Sequence, residues 1–442
     1  MELTQERIAF IRKSKKTELA DLDKKETYYR GNHKILERKK DPDLSNHKIV
    51  VNHCKRIVDI NAGALFNQPV QYQVAEDLDI TPILDEFNKQ TIERLDLSNG
   101  KKVGIFGKSY EYIYIKEVNK ELNVISVLLD PRTSYIKYDN SIEENKEYGV
   151  FWSTDEETKV EEWTIVDDTE INIYILNEDK VLTLDKERSG PHLFGRIPMI
   201  EYVNNEEHQG DFEQAISLND ALNMLQSDRV NDKEQLVAAI LALYGATVDD
   251  EDMEALQTNR VLMLPDGARG EYLIKPMDEA SIEILKKSIV EDIYTVTMTP
   301  NLSDEKFAGN SSGVALQLKL IPFIQTIDNK KTFMSIGMDE RFEIYANVLH
   351  KLKKMDTLVD ASQMDIIFKH NLPQNKLEVA QIIGLLWGKV DRATLISWLP
   401  DVKDAQDILD AMDADEEEAR KKYGIPNFGD HGVGEDEDSA EL

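Results

Sequence analysis

The feature that most constrains this chain is an apolar pattern of helical spacing that runs for about 40 residues, a rod of about 60 Å. It carries Val314, Leu318, Ile321, Ile324, Phe333, Ile336, Ile344, Leu349 and Leu352. Pro322 lies inside it and is expected to kink it, because proline removes one i to i−4 hydrogen bond. Immediately before the rod comes a polar, glycine-bearing loop, "TPNLSDEKFAGNSSG". Any fold must place a soft loop hard against its most rigid element.

The rest of the chain divides by period. Thr4 caps a first helix that stops at "RGN", and Asn52 caps "HCKRIVDINAGALF", which ends before Pro69. Thr81-Pro82 opens a third helix carrying Ile83, Leu84, Phe87, Ile92 and Leu95 on one side. Between residues 109 and 184 the pattern alternates, in "SYEYIYIK", "NVISVLL", "SYIKY", "GVFWS", "VEEWTIV", "INIYIL" and "VLTL". Short alternating runs separated by polar turns predict an antiparallel meander.

Helical spacing returns at 211. One helix of about 33 residues, about 50 Å, is expected to end at Gly245. Its waist, "QSDRVNDKEQ", is polar almost all round, which predicts that it faces solvent or a water-filled space. In "RVLMLPDGARGEYLIKP" the turn residues Pro265, Asp266 and Gly267 separate two apolar runs, so a small hairpin is expected. An amphipathic helix follows, with Ile282, Leu285, Ile289, Ile293 and Val296 on one face. Near the end, after a short extended piece at 365–370, Asn375 and Asp391 read as N-caps of a helical cluster, with Pro400 as a stop.

Chemical motifs fail their spacing tests. A phosphate loop before "GKS" needs glycine at the position held by Lys102, so "VGIFGKSY" reads as a turn joining a helix to a strand. His33, His47 and His53 fit no metal-ligand spacing and are expected to be capping or solvent-facing. "DADEEE" (413–418) lacks the glycine and the twelfth-position glutamate of a calcium loop. Ser311-Ser312-Gly313 lacks the first glycine of a nucleophile elbow. No catalytic residue, metal or cofactor is assigned, and the reading is of a protein that is not an enzyme. The single cysteine, Cys54, excludes a disulfide within the chain and is expected to be buried.

Net charge is −31 over 442 residues. Such a surface repels phosphate at long range, which disfavours a sequence-specific DNA-binding module and does not exclude a surface that DNA slides past without sticking. From Asp404 to Leu442 there are 14 acidic residues against 3 basic ones, and the last stretch reads as an acidic disordered tail. No apolar run reaches the length of a membrane span, and the N-terminus has no signal-peptide pattern, so a cytosolic origin is expected.

Four segments, "YYRGNHKILERK", "NHKIVVNHCKRIVDINAGALFNQPVQY", "FGKSYEYIYI" and "GNSSGVALQLKL", resemble in that order the portal proteins of tailed bacteriophages, nearest to the type found in many siphoviruses of Gram-positive hosts. The resemblance spans roughly residues 25 to 425. It implies an α+β, mainly helical fold and a ring, usually a dodecamer, at one capsid vertex of the virion, assembled in the host cytoplasm. Double-stranded DNA enters and leaves through its channel without sequence-specific contact. Implied partners are the terminase large subunit, head-completion or adaptor proteins, and the major capsid and scaffolding proteins, with no membrane. By position, 1–104 is the helical part of the wing, 105–210 its β-rich region, 211–245 and 281–298 the stem helices and 246–280 the clip. Residues 299–311 are the tunnel loop, 312–371 the long wing helix and its return, 372–425 the crown and 426–442 the tail. In the tunnel loop Ser303, Asp304, Glu305, Lys306 and Phe307 are expected to face DNA, with Gly309 and Gly313 as hinges. Two other readings stay open: a ring-forming capsid scaffold or adaptor that passes no DNA, and a cytosolic enzyme without a recognisable motif.

Overall fold

The structure is a computed structural model and describes residues 2–42, 44–74, 78–237, 240–245, 266–273, 278–303, 313–368, 376–399, 408–412 and 414–415. The chain forms two compact units, Met1–His370 and Asn371–Leu442. The fold is mixed α and β with antiparallel sheets, as expected.

The first unit begins with α1 (Gln5–Tyr29), whose first turn is closed by Thr4 Oγ1 accepting from the Arg7 amide at 3.2 Å. Helix α2 (His53–Phe66) is capped by Asn52, whose Oδ1 accepts from the Lys55 amide at 3.0 Å. Strand β1 (Gln71–Val74) follows. The single helix expected from Thr81 is broken at Thr91, which takes a left-handed conformation with φ 54°, giving α3 (Thr81–Gln90) and α4 (Ile92–Phe106). The cause is tertiary. The Gln90 amide donates to Val124 O and to the Tyr345 hydroxyl, and accepts from the Ser126 amide at 2.9 Å. Gln90 is drawn into neighbouring elements and the helix cannot pass through it straight.

Gly107 ends α4 at φ +84° and leads directly into β2 (Lys108–Val118). A Cβ there would lie 1.9 Å from the His208 carbonyl oxygen, so only glycine fits. "VGIFGKSY" is therefore the helix-to-strand turn that its failed phosphate-loop spacing implied. Strand β2 is the centre of a three-stranded sheet, between β3 (Glu121–Leu129) and β10 (Met199–Val203). Strands β4 (Ser134–Tyr138), β5 (Lys146–Thr154), β6 (Glu161–Val166), β7 (Glu170–Leu176) and β8 (Leu182–Leu184) form the meander, and the short β9 (Gly190–Pro191) also pairs with β7. Leu3, just before α1, and Ile8 and Ile11 in its first turns pack on the meander's Trp163, Val150 and Tyr174.

The chain continues through α5 (Ile216–Val237), β11 (Ile240–Tyr244), β12 (Arg269–Leu273) and α6 (Glu279–Val296) to the long helix α7 (Gly313–Lys351). Helix α7 is unbroken over 39 residues with Pro322 inside it. Its buried face differs from the expected stripe. Of the expected stripe Ile344 and Leu349 are buried, but Leu318, Ile321 and Ile336 are exposed, and Leu320, Phe323, Ile327, Met334, Met338, Phe342 and Tyr345 make up the rest of the buried face. The face is set by methionines and aromatics against the three-stranded sheet, where Gly337 lets Tyr202 of β10 lie flat: a Cβ would meet that ring at 2.5 Å. Beyond α7, β13 (Met364–Ile367) returns antiparallel to β1, which accounts for the extended piece.

The strongest polar tie in this core is Arg341 of α7. Its guanidinium is fully buried and donates to Asp96 of α4 at 2.7 Å and to Glu111 of β2 at 2.8 Å. Tyr202 also donates to Glu111, at 2.7 Å. Burial pushes the Asp96 carboxyl up from its ordinary value even with Arg341 beside it.

The second unit contains α8 (Lys376–Leu386) and α9 (Arg392–Ser397). Asp391 caps α9, accepting from the Thr394 amide at 3.0 Å, as the sequence predicts. Asn375, Pro400, most of 401–420 and the acidic tail lie outside the described residues.

Candidate functional site

Helices α5 and α6 lie side by side, joined by ion pairs along the shared edge. Arg229 meets Glu279 at 2.8 Å and Glu283 at 2.9 Å, and Lys233 meets Glu279 at 2.6 Å. The Glu279 carboxyl is held below its ordinary value chiefly by Lys233, and that of Glu283 chiefly by Lys286.

Helix α5 ends at Val237, short of the expected Gly245. Residues 240–244 instead form β11, paired with β12 in register Ile240 to Leu273 through Tyr244 to Arg269. The run "ILALY" carries β-branched and aromatic residues and finds a strand partner, and pairing overrides helical spacing. The turn at Asp266 and Gly267 is present, with Gly267 at φ +89°, but the strand after it pairs with β11. Pro265 lies outside the described residues.

The polar waist of α5 is a solvent face on one side only: Asp232, Lys233 and Glu234 are exposed, whereas Ser227 and Asn231 are buried. Asn219, Asn223, Ser227 and Asn231, four residues apart, are buried to 1% exposure or less. They form a ladder for the segment 47–53. Asn231 Oδ1 accepts from the His47 amide at 2.7 Å and Ser227 Oγ from Ile49 at 2.9 Å. Asn223 Oδ1 accepts from Val51 at 2.8 Å and Asn219 Oδ1 from His53 at 3.2 Å. Twelve helical residues rise about 18 Å and six extended residues about 20 Å, so every fourth helix position meets every second amide. Segment 47–53 is thus a strap on α5, running antiparallel to it. Arg38 reinforces it from the same side, meeting Asp228 at 2.8 Å. Side chains exposed on α5 include Ser217, Ala221, Met224, Val230, Asp232, Lys233 and Glu234.

Two of the three histidines depart from expectation. His33 is 1% exposed: Nε2–H donates to the Tyr28 carbonyl at 2.9 Å, and Nδ1 accepts from the amides of Asn219 at 3.0 Å and Asn223 at 2.8 Å. His53 is buried at the start of α2, with Nδ1 2.9 Å from the Tyr294 hydroxyl of α6. Burial, then Arg56, lowers its pKa to about 4. Only His47 is exposed, beside Glu234 at 2.8 Å. Cys54 is buried as expected, its thiol pushed up to about 12 by burial.

At its C-terminal end α6 borders an open groove of 790 Å³ whose lining includes Tyr294, Met298, Ser303, Lys319, Pro322 and Phe323. Ser303 is exposed and accepts a 2.8 Å hydrogen bond from Arg56 of α2, whose guanidinium lies over the Tyr294 ring. Asp304, Glu305, Lys306, Phe307 and Gly309 lie outside the described residues. Gly313 is the first residue of α7. Pro322 lies one turn below Thr326, whose hydroxyl donates to its carbonyl at 2.9 Å. The ladder, His33 and Arg56 were missed by apolar periodicity. Their signal was present as the i, i+4 spacing of Asn219, Asn223, Ser227 and Asn231.

Exposed apolar side chains mark the outer side of α6: Ile284 is 69% exposed, Leu285 50% and Val296 40%. Among the described residues no helix is long and apolar enough to cross a membrane, and no group of three or more metal-ligating side chains converges.

The family model described as "Phage portal protein, SPP1 Gp6-like" matches residues 8–422. The portal protein of Bacillus phage SPP1 is 25% identical over 228 residues, 49% of this chain. The match spans 44% of that relative's length. A chain from the neck of an empty GTA particle aligns with 84% of this chain and 89% of its own, at 12% identity and a TM-score of 0.41.

Proposed function

The chain belongs to the phage portal family of the SPP1 Gp6-like type, and from that premise we propose that it assembles into a ring, a dodecamer in the virion, at one capsid vertex. Double-stranded DNA passes through the central channel on packaging and on ejection. The observation that carries this reading is the family match across residues 8–422. The α5–α6 pair supports it: two helices side by side, with charged Asp232, Lys233 and Glu234 exposed on α5 and apolar Ile284 and Leu285 exposed on α6, suit contact with both neighbouring subunits and water or DNA.

In this reading α5 and α6 are the stem, and 246–280, including β12, is the clip on which the terminase large subunit docks during packaging and head-completion proteins later. The sheets of 105–210 and helix α7 with its return form the wing. The second unit is the crown, toward the major capsid and scaffolding proteins. The segment 299–311 is the tunnel loop, with Ser303 to Phe307 toward DNA. No chemical step is assigned to the chain, since the motor's nucleotide chemistry belongs to the terminase. The strap on α5 gives the stem helix a fixed anchor.

The test is packaging by the double variant Gly309→Ala, Gly313→Ala. Rings are expected to form at the normal level and DNA packaging to fall. Unchanged packaging would sink the hinge role.

A further inference from the structure

The amide orientation of the ladder depends on one residue. Asn219 and Asn223 each turn Oδ1 toward the strap and Nδ2 toward His33 Nδ1. Reversing either amide would set N–H against the strap's N–H, and would also lose the bond to His33. His33 is itself fixed, because Nε2–H is committed to the Tyr28 carbonyl. Its Nδ1 is therefore an acceptor only while the ring is neutral.

We infer that His33 is an acid-sensitive lock on the strap. When neutral, it holds both asparagines in the orientation that accepts from Val51 and His53. When protonated, it presents a second N–H to the two amides, which must then turn their oxygens toward the ring. The strap amides at 51 and 53 lose their acceptors together, and the anchor between residues 47–53 and α5 loosens. Asn219 Nδ2 also donates to the Val51 carbonyl at 3.1 Å, so this contact breaks in the same step.

The groups facing His33 come from each packed element. From α1 there are the Tyr28 carbonyl and ring, the ring centroid 4.9 Å away. From α5 there are Asn219, Asn223 and the Asp220 carboxylate, which accepts from the Tyr28 hydroxyl at 2.8 Å. Asn52 and His53 lie at the start of α2. Asp220 favours protonation, whereas burial opposes it more strongly and sets the imidazole below its ordinary pKa. For a histidine whose folded pKa is lowered, stability is full above about pH 6.5, the unfolded value, and is lost as pH falls toward the folded one. The lock thus holds at neutral pH and opens on the acid side. It is independent of the portal reading, since it concerns the fold of the single chain.

Hydrogen exchange of the full-length protein at about pH 7.5 and about pH 5, corrected for intrinsic rates, tests it, with protection at Val51 and His53 expected to fall about tenfold while α7 is unchanged. His33→Gln keeps an acceptor and cannot titrate, so its strap is expected to stay protected at both pH values. An equal loss in His33→Gln would assign the effect to another group, such as His53, and overturn the inference. No loss in the unmodified protein would also overturn it. Nitrogen NMR of the histidine rings at neutral pH gives a check that needs no variant. A proton on Nε2 of His33 is required, and one on Nδ1 contradicts the geometry.

Discussion

Replacing Arg341 with methionine should cost more than any surface change in this protein. The guanidinium is fully buried, and its partners Asp96 and Glu111 are 3% and 0% exposed. Methionine fills much of the volume but leaves two carboxylates in the core, one charge deficit becoming two. Breaking a buried ion pair by removing one partner costs about 3–5 kcal/mol. The loss should depend on pH. Without Arg341 the buried Asp96 carboxyl rises further above its unfolded value, so the penalty is full at high pH and shrinks as pH falls and it takes a proton. Asp96 already lies above its ordinary value in the intact protein, pushed there by burial. Urea unfolding of the dissociated chain, followed through hydrogen exchange of α7, measures the deficit. It should be several kcal/mol at about pH 8 and clearly smaller at about pH 5. Adding Asp96→Leu and Glu111→Gln should restore most of it, since glutamine still accepts from Tyr202. A deficit under about 1 kcal/mol, or one equal at both pH values, would refute the account of this tie.

Two other outcomes follow from the same structure. Asn223→Leu removes the acceptor of the Val51 amide and one of two donors to His33, each bond 2.8 Å long; His33 keeps Asn219, so the one orphaned amide predicts a loss of about 1–3 kcal/mol, read as faster exchange confined first to residues 47–53. Ring assembly should depend on ionic strength, because chains of net charge −31 repel one another within a Debye length; an oligomer distribution unchanged by salt on sedimentation would contradict that.

Much of the architecture was legible because it rests on local chemistry. Thr4, Asn52 and Asp391 cap helices through their own side chains, and the strands of the meander alternate visibly. The long helix shows its length through spacing alone. What escaped was set by distant partners. Thr91 breaks a helix because Gln90 is drawn toward β3 and Tyr345. Residues 240–244 pair with 269–273 instead of extending α5. The buried face of α7 follows the sheet it meets. At the site, periodicity counts apolar residues, so a helix face buried through asparagine and serine reads as wet. The strap on that face, and His33 and His53, whose rings are tied to Tyr28, α5 and Tyr294, were invisible for the same reason. The family resemblance, carried by four segments in order, reached the family where individual motifs did not.

The central claim, a ring with a DNA channel, is tested most directly by negative-stain electron microscopy of the purified protein at moderate ionic strength. The account predicts closed rings with a central hole wide enough for a duplex. Closed assemblies with no hole, or with one too narrow for a duplex, would contradict it.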